Sequence, residues 1–222
     1  MSYNDPLIAL FEANRSPEVA GPMAAYMKNQ FPYLGLKRPV RDELQKAFFK
    51  ESGLPPVQDA EAITRELWQK PEREYQYFAL DLLVKLKNKL PRESMTLFQE
   101  MIVIKSWWDT VDLIASKLVG NQVQRFPEFE SLMEDWSTGE NMWLRRTALL
   151  YQLKYKQKTN TKQLARFIES NLGSKEFFIN KAIGWILREY GKTNPEFVSR
   201  FVEEHPNLSN LSKKEALRIL NA

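Results

Sequence analysis

The chain has 222 residues and a mass of 26.1 kDa, enough for one large domain that buries about 70% of its unfolded surface. Hydrophobic residues make up 43% of it and aromatic residues 12%, which excludes a disordered tail. Without cysteine and with one histidine, disulfides, thiolate metal sites and cysteine nucleophiles are excluded, so we expect neither a metal nor another cofactor. No apolar run reaches the roughly 18 residues of a membrane span, and the opening MSYNDPLIALFEANRSPE lacks the basic region of a signal peptide, so we expect a cytoplasmic protein.

Charge is distributed unevenly along the chain. Residues 142–222 carry 15 Lys and Arg against 7 Asp and Glu, a net charge of +8, whereas residues 1–141 have a net charge of −4. Such asymmetry favours a polyanionic partner, nucleic acid above all, for the C-terminal part. The alternative is a solvated surface that is merely rich in lysine.

Helical periodicity runs through nearly the whole chain. Seven stretches place apolar residues at i, i+3, i+4 and i+7: 41–51, 61–69, 72–90, 93–104, 141–157, 161–172 and 174–190. Prolines fall between these stretches or in their first turns, as expected of helix breakers. No run alternates with period 2 for long enough to predict a strand, so we predict an all-α fold.

The predicted helices recur at a regular interval. Matching positions are separated by 35, 33, 36 and 34 residues and are occupied by Leu44, Ala79, Asp112, Ala148 and Ala182. A period in the mid-thirties is typical of α-solenoids built from HEAT-like helical pairs. We therefore predict a single domain over residues 1–222, a curved superhelix of HEAT-like repeats with a basic concave face. An irregular helical bundle is the alternative.

Asp112 is the one charged residue at these repeat positions. Ser106 and Asp109 fit a capping box for a helix that begins near Trp107, which explains Asp109 but leaves Asp112 unexplained. We therefore expect the Asp112 carboxylate to face a groove or a buried partner.

Two tryptophans accompany this carboxylate. Trp108 lies four residues before Asp112, hence on the same helical face. With 100° of rotation around the helix axis per residue, Trp108 lies about −40° from Asp112 and Trp185 about −60° from Ala182. The two indoles and the carboxylate are thus expected to point the same way from two helices.

A carboxylate between indoles suits a cationic target. Indole faces attract cations by about 0.5–2 kcal/mol per contact, and a fixed carboxylate at about 4 Å adds on the order of 4 kcal/mol at an effective dielectric near 20. A purine alkylated on a ring nitrogen is such a cation, and its loss passes through a positively charged, oxocarbenium-like sugar. Because such a base is already a good leaving group, this site would need no metal and no general acid.

Five long segments, four of which contain tryptophan, are distinctive: PMAAYMKNQFPYLGL, RELWQKPEREYQYFALDLL, KSWWDTVD, NMWLRRTALLYQLKYKQK and SKEFFINKAIGWILREYGKTNP. They resemble segments of the AlkD family of DNA alkylation repair proteins, the HEAT-like alkylpurine DNA glycosylases. The resemblance covers essentially the whole length. It implies a monofunctional glycosylase that excises positively charged N3- and N7-alkylated purines from double-stranded DNA.

The resemblance also assigns roles to individual residues. The family's catalytic aspartate corresponds to Asp112, and its two active-site tryptophans correspond to Trp108 and Trp185. Its DNA-binding residues correspond to Tyr26, Arg146, Lys154 and Arg188. The angular count around the helix axis does not by itself predict a DNA-binding role for Arg146, since it places this residue about 160° from the repeat position Ala148.

One segment departs from the family pattern. In GLKRPVRDEL, Arg38 stands where the family has a small hydroxyl residue and Asp42 where it has arginine. Arg38 and Arg41 could replace the N-terminal phosphate contacts.

A second class of function also fits the pattern. A non-catalytic HEAT scaffold would bind protein or structured nucleic acid through the same concave face, but it has no use for Asp112 between tryptophans. A metal-dependent nuclease is disfavoured because no tight carboxylate cluster or histidine pair is present. The sequence indicates neither a membrane nor an obligate protein partner.

Overall fold

A computed structural model describes residues 2–220, and all regular elements in that range are helices. The prediction of an all-α fold is confirmed. The chain divides between Leu97 and Phe98 into two compact units, which are described in turn. The curved superhelix and the single domain over residues 1–222 stay predictions.

The first unit contains five complete helices and the start of a sixth. They are α1 (Asn4–Ala13), α2 (Pro17–Tyr26), α3 (Arg38–Ser52), α4 (Ala60–Gln69), α5 (Arg73–Leu86) and α6 (Ser94–Val103), which ends in the second unit. Phe78 lies at the centre of its core, with ring centroids 6.1 Å from Phe11 and 5.4 Å from Phe48.

A buried carboxylate shapes the connection between α2 and α3. Glu74 accepts three backbone hydrogen bonds of 3.0 Å, from the amides of Leu34, Gly35 and Leu36. Gly35 has φ +92°, and a Cβ there would lie 2.1 Å from the carbonyl oxygen of Ser16. The segment therefore requires glycine and fixes the chain that leads into α3.

The second unit continues with eight helices and a π-helical segment. They are α7 (Trp108–Leu113), the π-helical Ile114–Val119, α8 (Gly120–Arg125), α9 (Glu130–Thr138), α10 (Met142–Leu150), α11 (Thr161–Glu169), α12 (Phe177–Gly191), α13 (Pro195–Glu204) and α14 (Asn210–Ala216). The α10 helix contacts both α7 and α12, and α12 contacts α14. Three helices that supply candidate site residues are thus connected by direct packing.

All seven stretches predicted as helical contain a helix, but the stretch 141–157 is too long. The α10 helix begins where Asn141 accepts hydrogen bonds from the amides of Trp143 and Leu144, at 2.9 and 3.2 Å, and it ends at Leu150. Beyond it the chain turns, and Lys156 adopts φ +53°, which an α-helix does not allow. Of the repeat positions, Ala79, Asp112, Ala148 and Ala182 are buried and Leu44 is half-buried.

Six of the α-helices in residues 2–220 were not predicted, namely α1, α2, α8, α9, α13 and α14. Of these, α8, α9 and α14 are short and α13 begins at a proline, and the apolar residues of α1 and α2 define no single strong stripe. Within residues 2–220, no helix is long and apolar enough to cross a membrane. The same residues include no group of three side chains of the kinds that hold a metal ion.

Candidate active site

The α7 helix begins at Trp108, as the sequence predicted, but its start is not a capping box. The N-cap residue is Trp107 rather than Ser106; it is extended (φ −158°, ψ 160°), and its side chain makes no capping hydrogen bond. The Ser106 hydroxyl instead donates to the carbonyl of Ile102 at 2.6 Å. The capping prediction was wrong because this hydroxyl bonds back to the end of α6 rather than forward to α7.

Asp112 has a buried partner, which is Arg146 on the neighbouring helix α10. Arg146 donates from Nε to Oδ1 at 2.7 Å and from Nη2 to Oδ2 at 2.8 Å, a two-point contact that fixes the carboxylate plane. Its Nη1 donates to the carbonyl oxygen of Phe178. Both charged side chains are buried, so α7, α10 and α12 meet at one arginine.

This geometry explains why the angular position of Arg146 around its helix did not predict a place for it in the site. The angle was counted around α10 alone, relative to a face shared by the repeats. Arg146 instead reaches sideways to the carboxylate of an adjacent helix, which a long side chain can do. The same contact explains why Asp112 occupies a position at which the other repeats have small or apolar residues.

The environment of Asp112 acts on its pKa in two directions. Burial raises the pKa of this carboxyl above its ordinary value of 3.8, and the hydrogen bonds and charge of Arg146 oppose that rise. Asp109 adds to the rise. The negative charge of Asp112 therefore depends on Arg146.

An aromatic cluster lies beside this ion pair. The Phe178 ring is 5.1 Å from that of Trp107 and 5.0 Å from that of Trp143, and the two indoles are 5.9 Å apart. The guanidinium carbon of Arg146 lies 5.7 Å from the centre of the Phe178 ring. The sequence patterns did not single out Trp107, Trp143 or Phe178. The adjacent tryptophans and adjacent phenylalanines, and a tryptophan at the start of α10, were signals that could have identified them.

The two predicted active-site tryptophans occupy helices of this same unit. Trp108 is half-buried one turn before Asp112, and Trp185 is half-buried in the middle of α12. Their contact with a lesion nucleotide stays a prediction.

Each basic residue predicted to bind DNA in this unit is paired with a carboxylate. Arg146 binds Asp112 as described above. Lys154 lies 3.1 Å from Glu189, and Arg188 lies 2.5 Å from Glu215. The cationic ends are thus held in defined positions.

Lys154 borders a cavity of about 330 Å³ between the segment after α10 and the C-terminal half of α12. Lys156 and Lys192 line it too, and Glu189 accepts hydrogen bonds from both Lys154 and Lys192. Burial raises the pKa of Glu189 and the two lysines lower it, with a net decrease. Three lysines and one carboxylate with a lowered pKa therefore line this cavity.

The predicted DNA contacts of the first unit differ in exposure. Tyr26 is 71% exposed at the end of α2, beside an apolar cavity of about 230 Å³. Arg38 is exposed and pairs with Asp42 at 3.1 Å. Arg41 is buried, with its guanidinium 4.6 Å from the centre of the Tyr77 ring, and burial lowers its pKa. A phosphate contact stays a prediction for each of these residues.

With this geometry established, comparison with known proteins defines the class. Residues 7–220 match the family described as DNA alkylation repair enzyme, and the chain belongs to that family. A solved structure described as a predicted DNA alkylation repair enzyme from Enterococcus faecalis is 39% identical, with a TM-score of 0.85 over 93% of this chain and 96% of that one. None of the curated proteins matches.

Proposed function

We propose that this protein is a DNA glycosylase that hydrolyses the N-glycosidic bond of positively charged N3- and N7-alkylated purines in duplex DNA. The observation that carries the proposal is the buried Asp112 carboxylate, fixed at two points by Arg146. Membership of the DNA alkylation repair family supports a DNA substrate. A HEAT-like superhelix whose basic concave face receives the duplex is part of the proposal.

In this mechanism the alkylated base leaves with both electrons of the glycosidic bond. The positive ring nitrogen becomes neutral as the bond breaks, so the base departs without being protonated. Positive charge develops on the sugar, and the Asp112 carboxylate stabilises it. Water then adds to C1′ and loses a proton, which leaves an abasic site.

Arg146 serves this mechanism by keeping Asp112 charged and oriented. Each carboxylate oxygen has two lone-pair directions, and Arg146 uses one on each oxygen. In this proposal the remaining directions face the cationic sugar or accept from a water molecule. Without the guanidinium, burial alone would favour the protonated acid.

Trp108 and Trp185 contact the lesion nucleotide in this proposal. Indole faces attract a cationic purine more strongly than a neutral one. Lys154 and Arg188 bind backbone phosphates, which positions the duplex without reading its sequence. Tyr26 and Arg38 are the proposed contacts of the first unit.

The decisive experiment uses duplex DNA with a single N7-methylguanine. Incubation with the protein should produce abasic sites at that position, measured by strand cleavage after alkali. Matched undamaged duplex controls for non-specific depurination. Release equal to that of a protein-free control would contradict the proposal.

The alternative is a HEAT scaffold that binds structured nucleic acid or protein without catalysis. It is favoured only by the ion-paired basic residues, which a scaffold would also use. Tight duplex binding with no abasic product would support it.

A further inference from the structure

A second carboxylate, on the last α-helix of the described residues, organises two cations. Glu215 on α14 accepts a hydrogen bond of 2.6 Å from Lys181 on its Oε1 and one of 2.5 Å from Arg188 on its Oε2. Along the sequence Lys181 and Arg188 are two separate basic residues, seven positions apart on α12. The structure joins them at one carboxyl group.

Glu215 lies deeper than the cations that it binds. Its side chain is 12% exposed, against 22% for Arg188 and 38% for Lys181. Both cationic side chains thus keep more exposed surface than the carboxylate that they bind. The hydrogen bonds of Lys181 and the charges of both cations lower the pKa of Glu215, so it is ionised at neutral pH.

The position of Glu215 is fixed by backbone packing. A Cβ at Gly184 of α12 would lie 2.5 Å from the Cβ of Glu215 and 2.9 Å from the carbonyl oxygen of Ser212, so only glycine permits this approach. The Ser212 hydroxyl donates to the carbonyl of Asn180 at 2.8 Å. Since α14 is attached to α12 at both places, Glu215 cannot withdraw from the cations.

Lys181 and Arg188 are seven residues apart, which separates their Cα atoms by about 10 Å along the helix. Two free like charges at that spacing would move apart, yet Glu215 holds both ends at one carboxyl group. An ammonium has three donors and a guanidinium five, so donors remain on both. Trp185 lies between them in sequence, four residues after Lys181 and three before Arg188.

We infer that Lys181 and Arg188 form a prebuilt binding site for a DNA backbone phosphate, and that Glu215 is the positioning residue that holds them together. The inference rests on the proposed duplex substrate and extends it to Lys181 and α14. Because both side chains are ordered before binding, less conformational entropy is lost when a phosphate arrives.

The test is a binding measurement on an undamaged labelled duplex, so that excision plays no part. Glu215→Gln should weaken binding about fivefold at physiological salt, the effect of releasing one or two ordered side chains, although it removes a negative charge. Glu203→Gln removes the same charge from an exposed position on α13 and should leave binding unchanged or tighter. Binding by Glu215→Gln as tight as that of Glu203→Gln would overturn the inference.

A double-mutant cycle separates positioning from a general effect on the fold. In a Lys181→Gln/Arg188→Gln background, adding Glu215→Gln should change the Kd less than about 1.5-fold. A loss that persists at full size would mean that Glu215 acts through the stability of α14, and would overturn the inference.

A variant that keeps Glu215 covers the case in which Glu215→Gln does not fold. Lys181→Gln should lower the slope of log K against log[salt] by about 0.9, the loss of one phosphate contact. Lys214→Gln, an exposed lysine on α14, should not change it, and equal slopes for wild type and Lys181→Gln would overturn the inference. Absence of duplex binding by the wild type would overturn both this inference and the proposed function, whereas binding without excision would count against glycosylase activity alone.

Discussion

Arg146 on α10 binds both carboxylate oxygens of Asp112 on α7, and both side chains are buried. A buried ion pair behaves as a unit, because removing either partner leaves an uncompensated charge. The catalytic role proposed for Asp112 therefore depends on Arg146, which its angular position on α10 did not identify as a site residue. Five predictions concern this pair and the chemistry assigned to it, and a sixth concerns phosphate binding.

Asp112→Asn should slow base release by about 10²–10³-fold while duplex affinity stays within about twofold of wild type. The physical reason is the loss of a few kcal/mol of charge stabilisation at the developing sugar cation. Single-turnover excision of N7-methylguanine measures the rate. Asp109→Asn, three residues earlier on the same helix, is the matched control and should keep a rate close to wild type.

Arg146→Gln should destabilise the fold by about 3–5 kcal/mol, because Asp112 is then buried either as an unpaired charge or as an acid that must first take up a proton. The double variant Asp112→Asn/Arg146→Gln should be more stable than Arg146→Gln alone, since the uncompensated charge is gone. Urea denaturation of the four proteins measures the coupling free energy. Strict additivity would show that the two residues do not act as a pair.

Excision should lose rate in acid through the protonation of Asp112. Burial raises the pKa of this carboxyl above 3.8 and Arg146 opposes the rise, so the rate should fall as the pH drops through the raised pKa and level off above it. Rates are measured under single-turnover conditions with protein-free release subtracted at each pH. A rate that stays level down to the ordinary aspartate pKa would contradict the assignment.

Stability should show the opposite trend with pH for this one group. Since the pKa of Asp112 is higher in the folded than in the unfolded chain, the folded chain binds the proton more tightly. The contribution of Asp112 to the free energy of unfolding is therefore largest in acid and declines as pH rises from 3.8 through the folded pKa. Asp112→Asn should lack this decline when the two proteins are unfolded in urea across that range.

Lesion charge should decide which bases are released. Without a general acid, neutral lesions such as hypoxanthine should leave at least about 10³-fold more slowly than N7-methylguanine or N3-methyladenine, a difference of roughly 4 kcal/mol. Matched duplexes that differ only in the lesion give the comparison. Similar rates on hypoxanthine and N7-methylguanine would require a general acid and end the role assigned to Asp112 and the two indoles.

Lys154 should account for about one phosphate contact. Lys154→Gln should lower the slope of log K against log[salt] by about 0.9 on damaged and undamaged duplexes alike. Lys158→Gln is the control, because Lys158 lies on the same segment after α10 but does not line the cavity beside Lys154. If both variants keep the wild-type slope, this part of the surface does not bind the backbone.

The sequence predicted seven helical stretches and singled out Asp112, because apolar periodicity and a charge at an apolar repeat position are local signals. It did not predict that Arg146 would pair with Asp112 or that Glu215 would join Lys181 to Arg188. These contacts link residues 34, 34 and 27 positions apart, and they depend on which side of each helix meets its neighbour. A period read along one helix carries no information on that packing.

The π-helical segment Ile114–Val119 directly follows the turn that carries Asp112. A π turn contains more residues than an α turn, and the repeat interval that includes it, from Asp112 to Ala148, is the longest at 36 residues. Beyond it, a Cβ at Gly120 would lie 2.3 Å from the carbonyl oxygen of Tyr151, so this face of α8 packs directly against the backbone that follows α10. Deleting one residue from Ile114–Val119 would turn Asp112 by about 100° relative to that fixed point and carry its carboxylate away from Arg146. The number of residues between Asp112 and Gly120 is therefore as important for the Asp112–Arg146 contact as the identity of the two residues. A relative whose aligned sequence has a gap in this segment is expected to have a different site.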